Sequence, residues 1–209
     1  MRRTMAKAAF LTASNLLVFT LVGTALLALT YNLTHERIAA SELAEKLKLV
    51  SQLVPPDTLD NDIMHDTVTV AVDPLLGNEG ETLAYRARKG GQPVAVVLEA
   101  VAPDGYSGKI RLIVAIKADG AVGGVRVVAH KETPGLGDYI DLAKGNWIKG
   151  FDGKRLFVER LGDWQVKKDG GQFDYMAGAT ITPRAVVKAV RKTLEYYAKH
   201  KDALLATKP

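Results

Sequence analysis

Apolar positions along this chain change their spacing three times, and each change marks a different kind of element. From Ala8 to Tyr31 no charged side chain occurs over 24 positions. A helix of that length reaches about 36 Å, against roughly 30 Å of bilayer hydrocarbon, so a membrane span is predicted. The competing reading is a cleaved signal peptide, with Ala25 and Ala28 near the cut. Such peptides have an apolar region of about 7–15 residues, and this run is longer. Asn15 and several Ser and Thr lie inside the span; their side chains either meet other membrane helices or bond their own backbone. Beyond it, residues 35–53 read as a helix continuing outward, with Ile38, Leu43, Leu47, Val50 and Val54 on one side. Pro55-Pro56 ends it, because proline brings no donor and restricts the residue before it.

The spacing then falls to two. Thr67–Val72 alternates clearly and Thr82–Arg88 less so. Gln92–Ala102 follows Gly90-Gly91, a pair suited to a hairpin turn. Ile110–Lys117 and Val122–Val128 form a second pair around Ala118-Asp-Gly120. A short helix or loop near 140–150 carries Trp147, and Arg155–Val158 is expected to be one more strand. Helical spacing returns with Val186, Val190, Leu194 and Tyr197, where Thr182 is the expected N-cap and Pro183 the first helical residue. Lys188, Arg191, Lys192 and Lys199 fall mostly off that stripe, as a solvated face would. Hairpins followed by a packing helix indicate an α+β fold rather than a doubly wound parallel sheet.

Composition narrows the chemistry. The 209 residues contain no cysteine, which removes disulfides, thiolate metal sites, iron–sulfur ligation and cysteine nucleophiles together. His35, His65, His130 and His200 are too dispersed in sequence to suggest a metal site. The net charge of +5 comes without a basic patch interleaved with aromatics, so no nucleic-acid partner is expected. Arg2, Arg3 and Lys7 precede the span, whereas His35, Glu36 and Arg37 after it carry little net charge. The positive-inside rule then places a short N-terminus in the cytoplasm and residues 32–209 across the membrane.

Three segments combine glycine with hydroxyls. Pro103-Asp-Gly-Tyr-Ser-Gly108 sits between two predicted strands and reads first as a turn. His130-Lys-Glu-Thr-Pro-Gly-Leu-Gly137 reads as a fixed loop, with Leu136 placed to pack on a flat ring. In Ala177-Gly-Ala-Thr-Ile-Thr-Pro183, Thr180 offers an accessible hydroxyl beside a helix N-terminus, whose free amides favour a phosphate. Arg184 and Lys188 are expected to add positive charge there. The segment also reads as a tight approach to the helix and nothing more.

Taken in order, the N-terminal span, Leu83-Ala-Tyr-Arg-Ala-Arg88, Asp104-Gly-Tyr-Ser-Gly108, His130–Gly137 and Gly178-Ala-Thr-Ile-Thr182 resemble the G subunits of Rnf electron-transport complexes. More distantly they resemble the C subunits of sodium-pumping NADH:quinone reductases; both groups carry the FMN-binding domain. The resemblance covers nearly the whole chain. It implies residues 1–7 in the cytoplasm, a transmembrane helix over 8–31, a helical connector over 32–56 and an extracytoplasmic α+β domain over 57–209, with the FMN-binding region at about 100–200. It also implies a single-pass protein of a bacterial inner membrane, with its main domain in the periplasm.

In that family the last threonine of a Ser/Thr-Gly-Ala-Thr motif is esterified to the phosphate of FMN by a separate flavin transferase. The resemblance assigns that role to Thr180, matches the usual upstream acid with Asp174, and shows one departure, Ala177 in place of Ser or Thr. Gly178, Ala179 and Thr182 complete the attachment segment, and Thr182 is the alternative hydroxyl. Glu132, Thr133 and Leu136, then Tyr106 and Ser107, are the residues expected to line the isoalloxazine. The implied function is an electron-carrying flavoprotein subunit, without catalytic or metal-binding residues of its own. It would serve an ion-translocating ferredoxin:NAD oxidoreductase complex with membrane and iron–sulfur subunits. The alternatives are a C-type quinone-reductase subunit and a non-redox anchored binding domain.

Overall fold

The computed structural model describes residues 2–206. It divides into two units, one reaching Glu45 and one beginning at Lys46. A first helix, α1, runs Arg2–Leu53. In the first unit it carries a stretch long and apolar enough to cross a membrane, and its large apolar side chains, such as Phe10, Phe19 and Leu27, are exposed. Thr20 and Thr30 donate to the carbonyls of Leu16 and Leu26, each at 2.8 Å. These hydroxyls are satisfied within the helix itself, the commoner of the two expected outcomes.

In the second unit the last turns of α1 bury Val50 and Leu53. Val54 N–H donates to Val50 O at 3.0 Å, after which Pro55 and Pro56 can offer no amide and the helix stops. Five strands follow: β1 Thr67–Val70, β2 Thr82–Lys89, β3 Gln92–Gly105, β4 Gly108–Lys117 and β5 Val122–Ala129. They form one antiparallel sheet in the order β1-β2-β3-β4-β5. The β2–β3 hairpin turns on Gly90 and Gly91, at φ 59° and 74°, the two left-handed positions that a type I′ turn requires. The central strands β3 and β4 extend past the apolar alternation to Gly105 and Gly108, which pair across the two-residue turn Tyr106-Ser107.

Alternation sorts the strand residues onto two apolar faces. Val96, Leu98, Leu112, Val114 and Ile116 join Val186, Val190, Leu194 and Tyr197 of a last helix, α2 (Ile181–Leu205). Tyr85, Val97, Ile113 and Ala115 join Val50, Leu53 and Ile63 on the other face. The sheet is thus covered on both sides, and a mixed α+β domain results. Between β5 and α2 the chain makes short turns of 3-10 helix, including Trp147–Phe151. There Phe151, Trp164 and Phe173 pack ring against ring, with centroids 4.6–6.2 Å apart.

Two sequence expectations change. Arg155–Val158 is not a strand: Arg155 reaches Asp119 instead, and a 3-10 turn begins at Val158. Alternation cannot make a strand without a neighbour to complete its ladder. Nor is Thr182 the N-cap of α2. That position belongs to Thr180, which places Pro183 in the third helical position rather than the first.

Arg86 and Arg88 occupy one face of β2 and are 3% and 6% exposed. Both donate to the carbonyl of Ala206, just past α2, at 2.7 Å. Asp66 accepts from Arg86 Nε at 2.6 Å and from Arg88 Nε at 2.7 Å. Two guanidinium groups and one carboxylate therefore hold the C-terminal end of α2, where cations are favoured.

Candidate flavin site

The turn that joins β3 to β4, the loop after β5 and the first turn of α2 enclose a cleft of about 290 Å³. Its walls include Tyr106, Glu132, Thr133, Leu136, Thr180 and Thr182. Gly178 and Ala179 also line it, so eight of the nine residues singled out in the sequence meet in one place. The ninth, Ser107, is not part of the wall. Its amide donates to Glu132 Oε1 at 2.9 Å. Gly137 and Ile181 line the cleft as well; neither carries a reactive group that would have marked it beforehand.

Glu132 is 4% exposed and both of its oxygens accept hydrogen bonds, Oε1 from Ser107 N–H and Oε2 from the Thr182 hydroxyl. Thr182 thus donates its hydroxyl proton to Glu132; it serves no N-cap because it already lies inside the helix, two residues past Thr180. Gly137 makes the close approach possible. A Cβ there would stand 3.0 Å from both Glu132 Cβ and Thr182 Oγ1. The carboxylate thus fastens the β3–β4 turn to the first turn of α2.

Thr180 is different. It holds the N-cap position in helical conformation, φ −78° and ψ −26°, and makes no side-chain cap hydrogen bond. Its carbonyl accepts Arg184 N–H at 3.3 Å. Because Pro183 has no amide, the first turn leaves the amides of Ile181 and Thr182 without intrahelical partners. The segment before it is held from outside. Trp147 Nε1 donates to Asp174 O at 2.7 Å, and Met176 N–H donates to the Tyr139 hydroxyl at 3.3 Å. Burial pushes the Tyr139 phenol above its ordinary pKa, so it serves as a neutral acceptor. Asp174 forms an ion pair with Lys167 at 2.5 Å.

Gly178 has φ 85°, a conformation that an L side chain resists by about 1–2 kcal/mol. Space is not the obstacle, since a Cβ there would meet nothing within 4 Å. Gly178→Ala is therefore expected to lower stability by about that amount through the backbone alone, measurable as a modest fall in thermal midpoint with the fold retained. An unchanged midpoint would show that the turn relaxes without cost.

Arg184 and Lys188 do not supply the expected charge. Arg184 grips Asp169 through two hydrogen bonds of 2.5 and 2.6 Å, and Lys188 pairs with Asp104 at 2.5 Å. Neither lines the cleft. Each already has a carboxylate within reach, and the partial positive charge of the helix N-terminus gives a cation no reason to turn toward it instead. Among the described residues no cluster of His, Asp or Glu could hold a metal ion.

The walls suit a flat, partly exposed ring with a polar tail. Leu136, Ile181 and Tyr106 present apolar surface and are 48%, 46% and 68% exposed, while Thr180 offers a hydroxyl without a cap bond at one side.

Comparison with known proteins gives the family. The FMN-binding domain family matches residues 105–195, which include every residue named in the cleft. The RnfG N-terminal region matches residues 1–53. The G subunit of the ion-translocating oxidoreductase complex of Vibrio cholerae is 49% identical over 189 residues, covering 90% of each chain. That of Pseudomonas aeruginosa is 49% identical over 205 residues, 98% of this chain and 94% of its own. That of Shewanella loihica is 48% identical over 193 residues, 92% and 91%. With its apolar N-terminal helix, its sheet domain and these relatives over nearly its full length, the chain belongs to the family of G subunits of ion-translocating oxidoreductase complexes, electron-transport proteins with an FMN-binding domain.

Proposed function

We propose that this chain carries FMN as a phosphoester on Thr180 and passes electrons within a membrane complex that couples ferredoxin–NAD electron transfer to ion movement. One observation carries the attachment: Thr180 stands at the N-cap of α2, on the wall of the cleft, with a hydroxyl that makes no cap bond. Thr182, the other hydroxyl of the segment, is tied to buried Glu132. Attachment by a flavin transferase would form one P–O bond at Thr180 Oγ1 as the P–O bond joining the flavin phosphate to the leaving group of an activated flavin donor breaks; the leaving group departs with that electron pair and the hydroxyl proton is released.

FMN, when bound, accepts and releases electrons one or two at a time. The protein's share is positional. Leu136, Ile181 and Tyr106 shield part of a ring from water, and the Trp147 and Tyr139 hydrogen bonds fix the backbone that leads to Thr180. A tether on a membrane-anchored chain also raises the local concentration of the carrier near neighbouring subunits. Co-expression with the transferase, followed by a denaturing gel viewed under ultraviolet light, tests the reading. A fluorescent band at the mass of this chain is expected; flavin that leaves on denaturation would instead mean non-covalent binding.

The domain is assigned to the periplasm on the strength of Arg2, Arg3 and Lys7 before the span. The absence of cysteine makes this directly testable. Lys201→Cys, at an exposed position of α2, is expected to react with a membrane-impermeant maleimide once the outer membrane is opened and before the inner membrane is broken. Labelling only after lysis would reverse the orientation.

A further inference from the structure

The cleft has an unusual charge for a phosphate-bearing ligand. Among its described lining residues one side chain is charged, and it is Glu132. That carboxylate lies 4% exposed against the first turn of α2, where it accepts from Thr182. It therefore occupies the positive end of the helix dipole, the feature that would otherwise attract an anion. A second carboxylate, Asp138, is also buried, and accepts from Gly135 N–H at 2.8 Å in the same loop. The two cations on the first turns of α2, Arg184 and Lys188, are held by Asp169 and Asp104.

From this we infer that the flavin phosphate contributes almost nothing to non-covalent affinity, because Glu132 offsets the N-terminal charge of α2. The ester bond at Thr180 then does the retaining, and the ring alone selects the ligand. Joining the phosphate to Thr180 converts a monoester, with up to two negative charges, into a diester with one. The same cleft accommodates that product more readily than it does free FMN. The inference rests on FMN attachment at Thr180 only for its biological meaning; the charge of the cleft is independent of it.

The test uses the full-length Thr180→Ala chain in detergent, titrated separately with FMN and with riboflavin, which lacks the phosphate. Binding is followed by the change in flavin fluorescence. FMN is expected to bind within about threefold of riboflavin. Adding Glu132→Gln removes the charge while keeping a group able to bond both Ser107 and Thr182. It should shift the ratio toward FMN by about tenfold at low salt, and by less at high salt.

FMN binding at least tenfold tighter than riboflavin in Thr180→Ala would overturn the inference. So would a ratio that Glu132→Gln leaves unchanged while a thermal melt shows the variant folded. If instead the wild-type chain shows no covalent flavin, yet the two flavins bind alike, the attachment reading fails and the electrostatic inference stands.

Discussion

Thr180→Ala is expected to abolish the fluorescent band on a denaturing gel while leaving the fold intact. The two effects separate because the Thr180 side chain makes no cap hydrogen bond. An N-cap threonine that bonds the first turn loses about 0.5–2 kcal/mol on truncation; here that bond is absent, so the stability loss should lie at or below the bottom of the range. Thr180→Ser keeps a hydroxyl and is expected to keep the band. Thr182→Val is expected to give the opposite pattern, since it removes the bond to buried Glu132 and leaves the Thr180 hydroxyl in place. It should melt earlier than wild type and still fluoresce. A fluorescent Thr180→Ala chain would falsify the assignment, and a dark Thr182→Val chain that melts like wild type would move it two residues along. The transferase must be present throughout, because without it every variant is dark.

The largest expected loss of stability lies at the other end of α2. Asp66→Ala removes the carboxylate between Arg86 and Arg88, whose side chains are 4% and 8% exposed. Stripping the partner from a buried charge costs about 3–5 kcal/mol, and here the carbonyl of Ala206 still accepts from both arginines. About 3 kcal/mol is therefore expected, roughly 6–12 °C in thermal midpoint for a domain of this size. Burial opposes ionisation of Asp66, but the Arg88 hydrogen bond and the charge and hydrogen bond of Arg86 outweigh it and hold the carboxyl below its ordinary pKa. The sign follows. A depressed folded pKa contributes stability that is present above the unfolded value of about 4 and is lost as pH falls through the folded one. Wild type and Asp66→Asn should thus differ most near neutrality and converge as the medium is acidified below about pH 4. A difference that stays constant down to about pH 2 would show that the carboxylate charge is not what binds the arginines.

Much of this arrangement is legible in the residues themselves. The five strands begin within two residues of where alternation puts them, and Gly90-Gly91 makes the hairpin turn that its composition implies. Glycine-rich motifs far apart in sequence meet in one cleft, because β3 and β4 carry their turn to the same edge as the start of α2. What local pattern cannot supply is partnership. Thr182 looks like a cap by residue type, yet the N-cap stands two residues before it and its hydroxyl donates to Glu132, fifty positions earlier. Arg184 and Lys188 look like phosphate ligands by position, yet Asp169 and Asp104 arrive from other loops. Leu83-Ala-Tyr-Arg-Ala-Arg88 reads as a strand of only loose alternation, and nothing in it announces that Arg86 and Arg88 reach a carbonyl about 120 residues away. Polar side chains follow whichever long-range partner the fold brings within reach.

Helix α2 spans 25 residues, about 37 Å at the usual rise. The arginine clamp and Thr180 therefore stand several screening lengths apart at physiological ionic strength. Charge altered at Asp66 decays before it reaches the cleft. The helix acts as an insulator between a mechanical joint and the cleft, so a flavin held as proposed would have its redox potential left to the handful of residues around Tyr106, Glu132 and Leu136.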